Sequence, residues 1–290
     1  MGLVPASPPE GVRLAPAAPS WRPAAGAPYA AHEVVVVAAG ALALAAGPGV
    51  ARTLRLPGLQ LAFDRRPPGL SRVAGAPLAN AGLLLDADGW RAVVLPSLGD
   101  LLPGLGAGPV ALRPDGRRVA FATDGSVVEV GLPGGEVVER HDGETEALAY
   151  LCDGRLVAGL GGAVGPPGGP ARDGSPIVAL AAAASAARVL ARHADGTLSL
   201  WDADADTPAS AWTPPVAEPL AIGLSADGEL AAVGTPAAEP AAAAVLLARD
   251  GSVLLRVAGA RALAFAPRGR GLLAGGEWGV MWLEQIGEEE

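Results

Sequence analysis

The feature that most constrains this chain is a turn signal that recurs in step with short apolar runs. Asp-Gly occurs nine times, at 88, 115, 124, 142, 153, 173, 195, 227 and 250. Both residues tolerate the positive φ of a tight turn, so the pair between apolar runs is a strong hairpin signal. Turns at that density, separated by strand-length runs, predict an antiparallel all-β chain.

Internal repeats narrow the choice of all-β fold. VALRPDGRRVAFA (110–122), LAYLCDGRLVAGL (148–160), IGLSADGELAAVG (222–234) and LAFAPRGRGLLAG (263–275) align without gaps on Gly116, Gly154, Gly228 and Gly269. Their separations are 38, 74 and 41, so the middle gap holds two units of about 37, the missing one being IVALAAAASAARVLA (177–191). A third strand recurs as ARTLRLPG, RAVVLPSL, SVVEVGLPGG, TLSLWDAD and GVMWLEQ, ending near Pro57, Pro96, Pro133, Asp202 and Glu284. AVLLARDGSVLLRV (244–257) adds another third strand and a fourth. Four strands repeated every 37 to 42 residues describe the blades of a β-propeller.

The block HADGTLSLWDADADTPASAW, with Asp195-Gly196 before a strand and Trp201-Asp202 at its end, resembles a WD-repeat blade, and RPDGRRVAFATDG is similar to the first two strands of bacterial WD-like repeats. The resemblance covers roughly residues 33–285 and implies a ring whose loops on one face meet partners. Only one blade keeps Trp-Asp and none keeps a Gly-His pair, so the family's histidine–aspartate network is not expected throughout. Packing of Val, Leu and Ala has to replace it. Seven blades are expected, with boundaries near 33, 70, 107, 144, 177, 217 and 261; six remain the alternative if the fourth is an insertion. The last blade lacks a fourth strand. The N-terminal segment is expected to close it, Val12-Arg13-Leu14 or a nearby piece of the first 32 residues, because an open blade leaves an exposed sheet edge. The organisation is thus a Pro/Ala-rich lead-in (1–32), a propeller (33–287) and an acidic tail (288–290). Trp21 and Tyr29 are docking points of the lead-in, and Gly165-Pro166-Pro167-Gly168-Gly169-Pro170 reads as a projecting loop.

Composition excludes several chemistries. All 21 basic residues are arginine, Asn80 is the only asparagine, and Cys152 the only cysteine. Without lysine there is no P-loop, no Schiff-base enzyme and no kinase site. A single thiol excludes intrachain disulfides and multi-cysteine metal centres. Codon usage of a GC-rich bacterial genome accounts for the bias. The net charge of −9 and the lack of a clustered basic face argue against a nucleic-acid partner. The start carries no signal-peptide pattern. The uncharged run Val34–Ala51 reaches membrane-span length, but Gly40 and Gly47-Pro48-Gly49 divide it into strand-sized pieces. A cytoplasmic protein with a free thiol is expected.

Chemistry-bearing motifs are sparse. Asp202, Asp204 and Asp206 open like a calcium loop but lack its glycine (Thr207) and glutamate (Thr213). His32, His141 and His193 fall in different loops, and Ser225 lacks the glycine spacing of a nucleophile elbow. Cys152 reads as a strand-end residue. No cofactor, metal or catalytic residue is expected. Trp90 and Trp278 sit at predicted second-to-third strand turns, the partner-facing side of WD-like rings. They are read there as exposed anchors or as covers of a blade interface, with Asp124, His141, His193, Asp195 and Asn80 on or near that rim. The expected function is a non-catalytic interaction scaffold or recognition subunit of a bacterial multicomponent system, binding a protein partner. The alternative is a small-molecule-binding or hydrolytic propeller using its central channel, marked by three or more acids or histidines on the axis.

Overall fold

In the computed structural model, residues 21–216, 219, 221–235, 243–268 and 271–285 are described. They form seven separate antiparallel sheets and one 3-10 turn. Six sheets take consecutive strands of the chain in simple meander order, which is what short Asp-Gly and Pro-Gly connections allow. We call the strands of each blade A to D in order from the axis outward. The seven A strands are Glu33–Val37, Arg72–Gly75, Val110–Leu112, Leu148–Tyr150, Ile177–Ala182, Ala221–Leu224 and Ala260–Phe265. Each contacts the next, and the last contacts the first, so the chain closes into a ring of seven blades. The six-blade alternative is therefore excluded: residues 148–165 form a blade of their own.

Burial explains why the middle strands read as unbroken apolar runs. Each blade is covered on both faces by its neighbours, so strands such as Ser126–Gly131 and Gly271–Gly276 are buried along their whole length. The D strands lie at the circumference and alternate weakly, as in Gln60–Arg65 and Val137–Asp142, which expose Leu61, Phe63, Val137 and Val138. The core is not one body but seven wedges, each filled by residues of two adjacent blades. Close approach selects small residues within them. A Cβ on Gly159 would stand 2.9 Å from the Ile177 side chain of the next blade.

The seventh blade is closed by the N-terminal lead-in. Trp21–Ala27 pairs antiparallel with the C strand Gly279–Gln285, from Trp21 opposite Gln285 to Ala27 opposite Val280. Val12-Arg13-Leu14 lie outside the described residues, as does the acidic tail 288–290. The observed closing strand, WRPAAGA, has poor strand propensity. Pro23 is tolerated because the strand is the outermost of its sheet, and the ladder shifts register between Pro23 and Ala25. Trp21 anchors it in the wedge between blades six and seven. Tyr29 packs on the next wedge under the Arg52 guanidinium, 5.2 Å from its ring centre.

Blade four has three strands. The Pro/Gly loop that follows does not simply project: it returns so that Arg172 N–H donates to Leu160 C=O at 3.0 Å and Gly162 N–H to Arg172 C=O at 3.0 Å. Val34–Ala51 folds as strands of blade one, and no helix among the described residues is long and apolar enough to cross a membrane.

Candidate functional site: one face of the ring

Register places the residues singled out in the sequence at one end of the blades, where strand B turns into strand C. Asp124 and Asp195 lie in such turns and are exposed. Trp278 lies in the turn of blade seven, Trp90 opens the C strand Gly89–Val94, and His193 ends the B strand Arg188–His193. His141, on a D strand, stands opposite Val127 beside the same turn. Asn80, by contrast, precedes a B strand, and its carbonyl accepts the Leu95 N–H at 3.0 Å. It belongs to the other end.

Position on this face does not make each residue available. Trp90 is buried, at 4% exposure. Its indole N–H donates to Gly108 C=O at 3.1 Å, and its ring fills the wedge between blades two and three. The reading of Trp90 as an exposed anchor is corrected: a large aromatic beside a glycine turn is drawn into the blade interface. Trp278 is half-buried and packs on the wedge between blades six and seven.

His193 is likewise interior, and its hydrogen bonds fix its tautomer. Nδ1 faces Ser175 C=O at 2.8 Å, so Nδ1 carries the proton. Nε2 then accepts from the Ser199 hydroxyl at 2.6 Å, and Ser199 Oγ accepts the Trp201 indole N–H at 2.7 Å. The WD-like blade thus keeps a Trp–Ser–His chain without an aspartate in it. Asp195 instead caps its own turn, accepting from the Thr197 hydroxyl and N–H at 2.7 and 2.9 Å. Those bonds hold its carboxyl below the usual range.

His141 donates toward Glu129 Oε1 at 3.3 Å, while the Tyr150 hydroxyl of the next blade donates to Oε2 at 2.7 Å. Burial, then the Glu129 bond, push the Tyr150 hydroxyl far up. Glu129, Glu139 and His141 bring three ligand atoms within 4.8 Å of one another. The Arg118 guanidinium 4.0 Å from Glu129 and the Tyr150 bond already satisfy the buried carboxylate, which fits a tie between blades three and four. The aspartates of the calcium-like run are splayed. Asp202 pairs with Arg188 at 2.9 Å, Asp204 with Arg155 at 2.5 Å and Asp206 with Arg172 at 2.8 Å.

Besides a pocket of about 390 Å³ around His193, Asp195 and Trp201, two concavities open on this face. A cleft of about 830 Å³ lies between blades three and four, with glycine-rich walls, Leu105, Phe121 and Ile177 at its apolar side, and exposed Asp124, Glu144 and Glu146 at its rim. The second, about 330 Å³, is lined by His32, Glu33, Ser71, Arg72, Arg192, Thr235 and Arg261 among others. These come from blades one, two, five, six and seven, which only the ring axis brings together. It carries one acid and one histidine alongside three arginines. The acid-and-histidine cluster that would mark a hydrolytic channel is not what converges there among the described residues. The sequence reading missed these arginines and Glu33. Glu33 and Arg72 open their A strands, Arg261 is the second residue of its own, and Arg192 lies on a B strand, so no single repeat position carries them.

No protein-family model matches the chain, and no curated protein matches it. Among solved structures it is similar to the crystal structure of Raptor from Chaetomium thermophilum, with a TM-score of 0.71 and 14% identity. The likeness covers 93% of this chain and 29% of that one. At that identity it is a likeness of fold, and the fold is a seven-bladed β-propeller.

Proposed function

We propose that the chain is a non-catalytic interaction ring, a cytoplasmic recognition or scaffold subunit of a bacterial multicomponent system. It would dock a protein partner on the face carrying the B–C turns. The observation that supports this reading is the open cleft between blades three and four, whose lining combines the half-buried Phe121 with the exposed acids Asp124, Glu144 and Glu146. Apolar surface with a charged rim is the usual make-up of a protein-binding patch. The acids select a partner segment bearing Arg or Lys, and the net charge of −9 steers such a segment toward the ring.

The test is affinity capture from the source lysate with the wild-type chain and two variants. Asp124→Asn/Glu144→Gln/Glu146→Gln neutralises the cleft rim. Asp115→Asn/Glu136→Gln neutralises two exposed acids in turns at the opposite end. The proposal expects a partner held by the wild type and the opposite-end variant and lost from the cleft variant. Equal recovery by both variants, or no specific partner for the wild type, would overturn it.

A further inference from the structure

We propose that the mouth of the central channel is a binding site for a small multivalent oxyanion, clamped by Arg72, Arg192 and Arg261. Binding there does not depend on partner docking in the cleft.

Other half-buried arginines of this chain have partners, Arg52 the Tyr29 ring and Arg256 the Pro215 C=O. Further arginines are paired with acids: Arg155 with Asp153 and Asp204, Arg188 with Asp202 and Glu229, Arg65 with Asp100. Arg192 is the exception. It is half-buried in the axial cavity and has no acid partner or side-chain hydrogen bond among the described residues, and its Nε is shut off from solvent without a partner. Arg261 reaches Glu277 with one terminal nitrogen, while its buried Nε is also unpartnered. Arg72 faces the same cavity, 3.4 Å from Glu33 and stacked 5.9 Å from the Trp90 ring centre.

Electrostatics at the mouth are unbalanced in one direction. Among the described residues Glu33 is the only acid in the lining, and it is already engaged by the Val73 N–H at 2.5 Å and by Arg72. With Arg72 on Glu33 and Arg261 on Glu277, the Arg192 guanidinium is left as one unbalanced positive charge at the mouth, in a chain whose net charge is −9. Burial, and then the Arg72 charge, lower the proton affinity of Arg192, although a guanidinium stays charged at neutral pH. The Arg72 side chain is 59% exposed and Arg192 half-buried, so water screens part of their repulsion and negative charge between them relieves the rest. The guanidinium fork binds carboxylate and phosphate oxygens in pairs. A cavity of about 330 Å³ lies at the low end of the ~300–1,000 Å³ range of small-molecule sites. Its ligand is therefore a compact anion with several oxygens, a phosphate ester or a polycarboxylate. Ser71 and Thr235 add polar wall to the same space.

Isothermal titration calorimetry of the full chain with pyrophosphate and, separately, citrate tests this, at constant ionic strength. One-to-one binding of either, with a dissociation constant below about 1 mM, is expected, and the stronger of the two assigns the oxyanion class. Arg192→Gln should weaken that binding by at least about tenfold, the loss of one charge-assisted contact. Exposed Arg249→Gln, outside the cavity, should leave it unchanged. Because Arg192 is unpaired, its Gln variant should melt no lower than the wild type without added anion. A structural role would lower its Tm. Failure of both anions to bind, binding indifferent to Arg192→Gln, or a lowered Tm for that variant would overturn the proposal.

Discussion

Ser199→Ala is a sharp test of how the WD-like blade is held together. Ser199 is 2% exposed and stands between Trp201 at 3% and His193 at 8%. In an apolar setting, replacing a buried serine by alanine removes a polar group and is close to neutral. Here the hydroxyl accepts the Trp201 N–H at 2.7 Å and donates to His193 Nε2 at 2.6 Å. Its removal leaves two buried polar groups unpaired, at about 1–3 kcal/mol each, or about 2–6 kcal/mol together. With an unfolding entropy of about 2.1 cal/mol/K per residue, a chain of 290 residues loses about 3–10 °C in Tm. Trp201→Phe leaves the Ser199–His193 bond but removes the indole donor and opens space in the wedge between blades four and five, so its cost adds a cavity to the lost bond. Scanning calorimetry of both variants and the wild type reads the difference. A Ser199→Ala protein melting within about 1 °C of the wild type would refute the hydrogen-bond chain.

Three further outcomes follow from the packing and the turns. Trp90→Ala should lower stability by about 3–5 kcal/mol in urea unfolding, because the ring fills a wedge rather than facing solvent; a loss under 1 kcal/mol would return Trp90 to the surface. Gly159→Ala should cost about 1–3 kcal/mol, since its Cβ would press on Ile177, and an unchanged urea midpoint would contradict the close approach of blades four and five. Turn bonds from Arg155 N–H, the Thr197 hydroxyl and the Ser252 hydroxyl hold Asp153, Asp195 and Asp250 below the usual carboxylate range. The unfolded chain therefore takes up protons first, so their contribution is full above about pH 5 and is lost as pH falls through the lowered values. The urea midpoint should drop between about pH 5 and 3, and a flat profile there would contradict the turn bonds.

The ring was legible in the sequence because propeller blades repeat. A blade needs strand formers and turn residues in period, and an alphabet of Ala, Val, Leu, Gly and Asp supplies both without lysine. The C strands end at Arg55, Val94 and Gly131, two residues before Pro57, Pro96 and Pro133, where the spacing puts them. The closing strand was harder to locate because pairing, not propensity, makes Trp21–Ala27 a strand. Its partner Gly279–Gln285 supplies the ladder and the wedge beneath supplies the site for Trp21. Composition marked the tryptophans as conspicuous, yet it could not say that Trp90 turns inward. The axial arginines were least visible, since they lie in five-blade convergence that no local window contains.

The channel mouth, lined by blades one, two, five, six and seven, exists only if the chain closes into a ring, and the N-terminal strand completes the closing blade. A Cys152→Ser background carrying Arg22→Cys and Glu284→Cys tests that closure. These positions are Cα partners across the closing pair, where antiparallel partners lie about 4.5–5.5 Å apart, within disulfide reach. Mild oxidation of the folded double-cysteine protein should give an intrachain disulfide nearly quantitatively, seen as faster migration on a non-reducing gel and loss of both titratable thiols. Two free thiols persisting in the folded monomer, or cross-linking only between molecules, would contradict the closed seven-bladed ring.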